Sequence, residues 1–227
     1  MQDSTRRAPV VYWLTEAFYP PLVGGQELIA SYLAQGLHAR GFQVQVITRQ
    51  TLPASPGREN IDGVAVRRID PPGMLKGKGF RAILPVLGFM ARLLWILSKD
   101  AARYDVVLVS GAKIMPLVVI PLCAILRKKC VLRVESYFEL HETISTESMR
   151  TMGSRRGRFL FSLLENVRNR ALRKAHAVIA ISAQINAELL KRGVDPAKIV
   201  PIPNGVSLRK FRPVAAAERR CGHRWRV

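Results

Sequence analysis

Hydrophobic residues along this chain fall into short runs that alternate with longer helical patterns. Seven runs are rich in β-branched residues, and several are apolar at nearly every position. Strands buried on both faces have this composition, whereas strands with one wet face alternate. Such an order of strands and helices predicts a parallel sheet covered by helices on both faces. The predicted strands span residues 10–14, 44–48, 64–69, 106–110, 131–135, 177–181 and 199–202.

Two helical patterns are clear between these strands. Residues 26–40 place Leu28, Leu33 and Leu37 on one stripe, with Gly41 as the expected carboxy-terminal cap. A second helix is predicted from the capping residue Ser182 to Gly193. The predicted fold class is therefore α/β, a doubly wound and mostly parallel seven-stranded Rossmann-like sheet.

Charge changes the picture in the last third of the chain. The whole sequence carries a net charge of +20, and residues from 150 onward hold 18 basic and 4 acidic side chains. Such a field attracts nucleic acid, anionic lipid or a sugar diphosphate alike, so charge does not choose the partner. The basic segment 150–174 lacks interleaved aromatic residues, and we therefore expect no nucleic acid as partner.

Cysteines and apolar runs bear on the compartment. The three cysteines have no metal-ligand spacing and form no even disulfide set, which is typical of a reducing cytosol. No run reaches the roughly 20 apolar residues that span a bilayer, and no secretory signal opens the chain. These features predict a cytoplasmic protein without a bound metal.

The loop after the first strand is the first candidate for chemistry. It reads YPPLVGGQE, and Gly24 and Gly25 come directly before the predicted helix. A glycine pair here lets the backbone approach a ligand, and the first turn of a helix offers unpaired N–H groups to a phosphate. The alternative is a tight turn with no ligand.

The order of this loop, an amphipathic helix and ARGFQVQVIT resembles the opening of family 4 glycosyltransferases of the GT-B fold. Residues 177–214, AVIAISAQINAELLKRGVDPAKIVPIPNGVSLRKFRPV, resemble a second family segment, with Ser207 where aspartate is usual. The resemblance covers most of the chain. It implies the amino-terminal, acceptor-side half of a two-domain enzyme.

The resemblance also implies site residues. Gly24 and Gly25 would face the cleft between the two domains, and Asn204 would end the last strand beside it, fixing its own backbone or touching a ligand. Family members often carry a histidine where this chain has Glu135. The sequence RVES resembles a subgroup variant in which Glu135 and Ser136 contact the acceptor sugar. The alternative is a structural ion pair between Glu135 and Arg133.

In this family the leaving diphosphate is held to assist attack from the same face, so retention requires no protein nucleophile. The donor is a nucleotide diphosphate sugar, and neither a cofactor nor a metal is expected. The acceptor is a glycan or a lipid-linked sugar. We expect residues 1–8 to be disordered, residues 9–206 to form the family domain, and residues 207–227 to be a truncated interdomain linker with an irregular tail.

A donor-binding domain is not expected within these 227 residues. Three hypotheses follow: an enzyme fragment inactive alone, a half-enzyme completed by a partner chain, or a non-catalytic module that binds an acceptor or a membrane. A basic, apolar stretch from residue 77 to residue 103 contains Trp95. It could lie against the anionic inner face of the plasma membrane, or it could be a core helix with a solvated rim.

Overall fold

The computed structural model describes residues 7–20, 24–50, 52, 55–69, 83–141 and 155–205. The predicted linker and tail 207–227, which includes Ser207, lies outside these residues, as do residues 1–6 of the segment 1–8 that the sequence predicts to be disordered. Within the described part there are eight strands, six α-helices and a short 3-10 helix (Pro196–Lys198). The strands are β1 (Val10–Leu14), β2 (Gln43–Arg49), β3 (Arg58–Ile61), β4 (Val64–Ile69), β5 (Val106–Ser110), β6 (Lys129–Val134), β7 (Ala177–Ala180) and β8 (Ile199–Pro201). The helices are α1 (Gly25–His38), α2 (Ile83–Lys99), α3 (Met115–Ile125), α4 (Tyr137–His141), α5 (Arg155–Lys174) and α6 (Ala183–Lys191).

All eight strands form one sheet in the order β3-β4-β2-β1-β5-β6-β7-β8. Every neighbouring pair is parallel except β3 and β4. The chain moves outward from β1 to β2 and β4, then returns to the other side of β1 with β5. The order of the strands therefore reverses between β1 and β5, and this is where open α/β sheets bind their ligands.

The predicted doubly wound sheet is confirmed, with one strand more than expected. β3 begins within the segment 53–60, whose sequence is typical of a linker, and pairs with β4 through the two-residue turn Asp62–Gly63. Both turn residues have positive φ, 49° and 84°, as a tight hairpin turn of this kind requires. An Asp-Gly pair between two runs was the sequence signal for this hairpin.

Hydrophobic cores lie on both faces of the sheet. The larger core packs helices α2 to α6 against one face of the sheet. Leu93, Leu132 and Leu172 are fully buried in it. The smaller core packs Ala30 and Ala34 of α1 against Trp13 and its neighbours on the other face. Helix α1 ends at His38, two residues before the predicted end at residue 40. Gly41 has a φ of 86°, and its N–H donates a hydrogen bond to the carbonyl of His38.

Candidate functional site

A cavity of about 280 Å³ opens at the point where the strand order reverses. Its floor is formed by residues that directly follow β1, β5 and β6, and its sides by the starts of α1, α3 and α4. The lining includes polar side chains from each of these elements: Thr15, Glu16, Gln26, Glu27, Ser110, Lys113, Glu135, Ser136 and Glu139. The carboxyl ends of parallel strands meet at one sheet edge, which explains how residues distant in sequence gather here.

Glu135 lies at the end of β6 and is held from two sides. Arg133 donates a hydrogen bond from Nη1 to Glu135 Oε1, so the ion pair that was the structural alternative is present. Ser110, at the end of β5, also bonds to the Glu135 carboxylate. Trp13 Nε1 donates to Ser110 Oγ at 2.8 Å, which leaves the hydroxyl proton for Glu135. Because Glu135 also lines the cavity, its ion pair and a role toward a ligand are compatible.

The environment of Glu135 changes its acidity. Its side chain is 8% exposed and that of Arg133 is 5% exposed. Burial raises the pKa of Glu135 to about 7, against the opposing attraction of Arg133 and with a further rise from nearby Glu139. With this pKa, Glu135 is present near neutral pH both as a carboxylate and as a carboxylic acid. The carboxylate can accept a hydrogen bond from a ligand hydroxyl, and the acid can donate one to it.

Asn204 is connected to Glu135 through the same arginine. Arg133 Nη2 donates to Asn204 Oδ1 at 2.6 Å, across strand β7. Asn204 does not line the cavity itself. Two of the predicted site residues, Glu135 and Asn204, are thus joined by the buried guanidinium group of Arg133, which lies 71 positions before Asn204.

Ser136 and the glycine pair are placed beside the cavity in different ways. Ser136 lines it, and its Oγ accepts a hydrogen bond from the N–H of Phe138 at 3.2 Å, at the start of α4. Gly24 is the amino-terminal cap of α1, and Gly25 is the first residue of that helix. Neither glycine lines the cavity, although Gln26 and Glu27 of the same first turn do.

Glu27 lies over the predicted phosphate-binding turn. A Cβ atom added to Gly24 would lie 3.3 Å from Glu27 Oε2, which is tight contact. That oxygen is buried and has no hydrogen-bond partner. A carboxylate in the first turn is itself stabilised by the helix dipole, so a phosphate would compete with Glu27 at this turn.

Arg68 fixes the other half of the same loop. Its Nη2 donates to the carbonyl of Pro20 at 2.7 Å and also to Glu59 Oε1. Its side chain is 1% exposed, so β4 and the edge strand β3 anchor the backbone that leads from Glu16 past the cavity. No local pattern indicates the contact with Pro20, because Arg68 lies 48 residues from it in the chain.

Glu139 is a site residue that sequence reasoning missed. Its Oε2 accepts hydrogen bonds from the N–H groups of Ala112 at 3.1 Å and Glu135 at 3.2 Å. One carboxylate thereby links the backbone after β5 to the backbone after β6. Burial raises the pKa of Glu139, and these two N–H groups oppose the rise. Its four-residue spacing from Glu135 was visible, but the contact with Ala112 depends on how α4 folds back.

Part of the basic segment has a structural role. Arg168 of α5 is fully buried and donates to the main-chain carbonyls of Glu139, at 3.3 Å, and of Leu140. These carbonyls belong to α4, so Arg168 supports the short helix that carries Glu139. Arg170, Arg173 and Lys174 of the same helix remain exposed.

Solved structures define the class of the fold. The chain is similar to sucrose-phosphate synthase from Thermosynechococcus elongatus at 20% identity and a TM-score of 0.60, covering 92% of this chain and 51% of that one. HepE from Anabaena, in complex with UDP-glucose, matches at 19% identity and a TM-score of 0.54, covering 88% of this chain and 45% of that one. The catalytic domain of starch synthase IV from Arabidopsis thaliana, bound to ADP and acarbose, matches at 13% identity and a TM-score of 0.57, covering 90% of this chain and 53% of that one. The fold is that of the amino-terminal half of a GT-B glycosyltransferase.

A comparison with protein-family models shows the family of this chain. The model of the glycosyl transferase 4-like domain matches residues 24–205, and the chain belongs to this family. The match runs from the glycine pair to the residue after Asn204, so it contains every predicted site residue. No curated protein matches the chain significantly. The chain spans about half the length of the solved structures that it resembles.

Proposed function

We propose that this chain is the acceptor-side domain of a retaining glycosyltransferase. The reaction moves a sugar from a nucleotide diphosphate sugar to a glycan or a lipid-linked acceptor. The observation that carries the proposal is the cavity at the reversal of strand order, lined by carboxylates and hydroxyl groups. Carboxylates accept hydrogen bonds from hydroxyl groups, and a sugar presents several such donors at fixed positions.

The donor is proposed to bind elsewhere than in this cavity. A diphosphate is held by cations or by converging N–H groups, whereas the lining residues that the structure describes include four glutamates and one cation, Lys113. We therefore propose that a second domain, on the same polypeptide or on a partner chain, holds the donor. The 227-residue chain alone is then expected to bind an acceptor without transferring sugar to it.

Glu135 is proposed to orient the acceptor hydroxyl during transfer. Its ionised form would accept a hydrogen bond from the acceptor hydroxyl without taking its proton, and Arg133 would hold the carboxylate in place. The leaving diphosphate would receive the proton when the acceptor oxygen attacks, so no group of this chain forms a bond to the sugar. The proposal invokes no metal and no cofactor.

Saturation-transfer NMR with methyl glucoside and with UDP-glucose tests the proposal. We expect the glucoside signal with the wild-type chain to disappear in Glu135→Ala, because that change removes the central acceptor of the cavity. Glu188→Ala is the matched control, since Glu188 pairs with Arg192 on α6 and does not line the cavity. A glucoside signal unchanged in Glu135→Ala would reject the proposed site.

Helix α2 supports a second proposal, attachment to an anionic membrane. Phe89, Leu93 and Leu97 bury one face of this helix in the core, while Leu87 is 57% exposed and Trp95 is 56% exposed on the other. Lys99 Nζ lies 4.8 Å from the centre of the Trp95 ring. Exposed apolar groups beside cations suit a lipid interface. No helix among the described residues is long and apolar enough to cross a membrane.

A further inference from the structure

We infer that the cavity selects an acceptor whose reacting sugar carries no acidic group. The inference rests on the proposed function, because it assumes that an acceptor sugar occupies this cavity. It adds a substrate class to that function: an uncharged sugar is accepted, and a uronic acid or a phosphorylated sugar is disfavoured.

The first line of evidence is the charge of the lining. Glu16 follows β1, Glu27 belongs to α1, Glu135 follows β6, and Glu139 belongs to α4. Among the lining residues that the structure describes, Lys113 is the one basic side chain, and it is exposed. This described lining therefore has more acidic than basic side chains, in a protein whose net charge is +20. An anionic sugar would meet like charges that water screens poorly in a cavity.

The second line of evidence is the state of individual oxygen atoms. Glu27 Oε2 is buried and has no hydrogen-bond partner, and a buried acceptor without a donor is costly. Glu139 uses Oε2 for two backbone N–H groups, and no described residue donates to its Oε1. These oxygens require donors. A sugar hydroxyl supplies a proton, whereas a ligand carboxylate or phosphate dianion supplies none.

Nearby positive charge offsets only part of this acidity. Arg133 lies beneath Glu135, but its two terminal nitrogens are used by Glu135 and Asn204. The first turns of α1 and α3 point partial positive charge toward the cavity, and Glu27 already occupies the first turn of α1. Among the described lining residues, Lys113 is then the one cation opposite Glu16, Glu27 and Glu139.

Backbone NMR titration of the full chain tests the inference with methyl glucoside and methyl glucuronide. Both are added at constant ionic strength and at a pH above the pKa of Glu135. The amide signals of Ala112 and Glu135 report binding, since both N–H groups bond to Glu139 inside the site. We expect the glucuronide to bind about tenfold more weakly than the glucoside. Glu27→Gln should narrow this difference, whereas the control Glu188→Gln should leave it unchanged.

The outcomes separate the inference from the function on which it rests. Equal affinity for the two glycosides, or a preference for the glucuronide, overturns the inference and leaves the acceptor cavity in place. A difference that Glu27→Gln and Glu188→Gln alter equally also overturns it. If neither glycoside shifts the two amide signals, the acceptor cavity itself is rejected together with the inference.

Discussion

Arg133 is the residue on which the geometry of the site depends most. It is almost fully buried, and its guanidinium group binds Glu135 on its own strand and Asn204 beyond the neighbouring strand. A planar group with several fixed donors can hold two oxygen acceptors at once, which a lysine could not do in the same geometry. Arg133 therefore holds Glu135 in position together with Ser110.

Arg133→Met should destabilise the protein by about 3–5 kcal/mol at a pH above the pKa of Glu135, because it leaves a buried carboxylate without its partner. Arg103→Met is the matched control: Arg103 is 76% exposed in its pair with Asp100, and its loss should cost about 0–1 kcal/mol. Chemical denaturation of the two variants measures both values. Equal losses would show that the buried pair has no special weight.

Glu135 should make stability depend on pH. Its pKa is raised from 4.5 to about 7 in the folded protein, so the native state binds the proton more tightly than the unfolded chain. The resulting stabilisation is present at low pH and is lost as the pH rises through 7. Between about pH 4 and pH 8, the free energy of unfolding should fall by about 1–3 kcal/mol more in the wild type than in Glu135→Gln. Parallel curves for the two proteins would contradict the buried, raised-pKa carboxyl group.

At this scale the resemblance predicts Glu135, Ser136 and Asn204 as site residues, and strand spacing indicated the alternative, an ion pair of Glu135 with Arg133, which is present. It could not find Glu139 or Arg168. Glu139 matters through an N–H group 27 residues away, and Arg168 through carbonyls 28 and 29 residues away. Such partners are set by how α4 and α5 pack, which no local pattern records.

Elements were more predictable than contacts. Each predicted strand is found within two residues of its expected ends, because buried parallel strands have a strong composition signal. β3 was missed because its sequence, RENI, is polar and short, as suits an edge strand with one neighbour. Its hairpin turn is fixed by Gly63, whose φ is 84°.

Gly63→Ala should destabilise the protein by about 1–3 kcal/mol. The added Cβ would lie 2.4 Å from His38 Nε2 in addition to straining a positive φ. Gly57→Ala is the control, since a Cβ there would have no atom within 4 Å. Thermal or chemical denaturation measures the difference, and equal stability of the two variants would count against the packing of the hairpin on α1.

For helix α2, the membrane proposal makes its own prediction. The wild-type chain should float with vesicles of phosphatidylcholine and phosphatidylserine, and a Leu87→Ser, Trp95→Ser double variant should bind them about tenfold more weakly. Leu190→Ser on α6, where the leucine is 43% exposed, is the control for loss of surface hydrophobicity. A wild-type chain that stays at the bottom of the gradient would reject the membrane proposal.

At the scale of the whole molecule, charge and fold point to different partners. The net charge of +20 alone would suggest phosphate ligands, yet the cavity at the reversal of strand order is acidic. Exposed basic residues such as Arg170, Arg173 and Lys174 lie outside the described lining of the cavity. Resemblance could indicate an acceptor-side domain, but this separation of charge required the fold that brings Glu16 and Glu27 close to Glu135 and Glu139.

The central claim is that the cavity between the ends of β1, β5 and β6 receives the acceptor. A crystal structure of the chain soaked with a neutral disaccharide glycoside tests it most directly. We predict sugar density in contact with Glu27, Glu135 and Glu139, with hydroxyl groups as donors to their carboxylates. Sugar bound instead in the groove beside the amino ends of β1 and β2, whose lining includes Arg58, Arg67 and Arg103, would contradict the account.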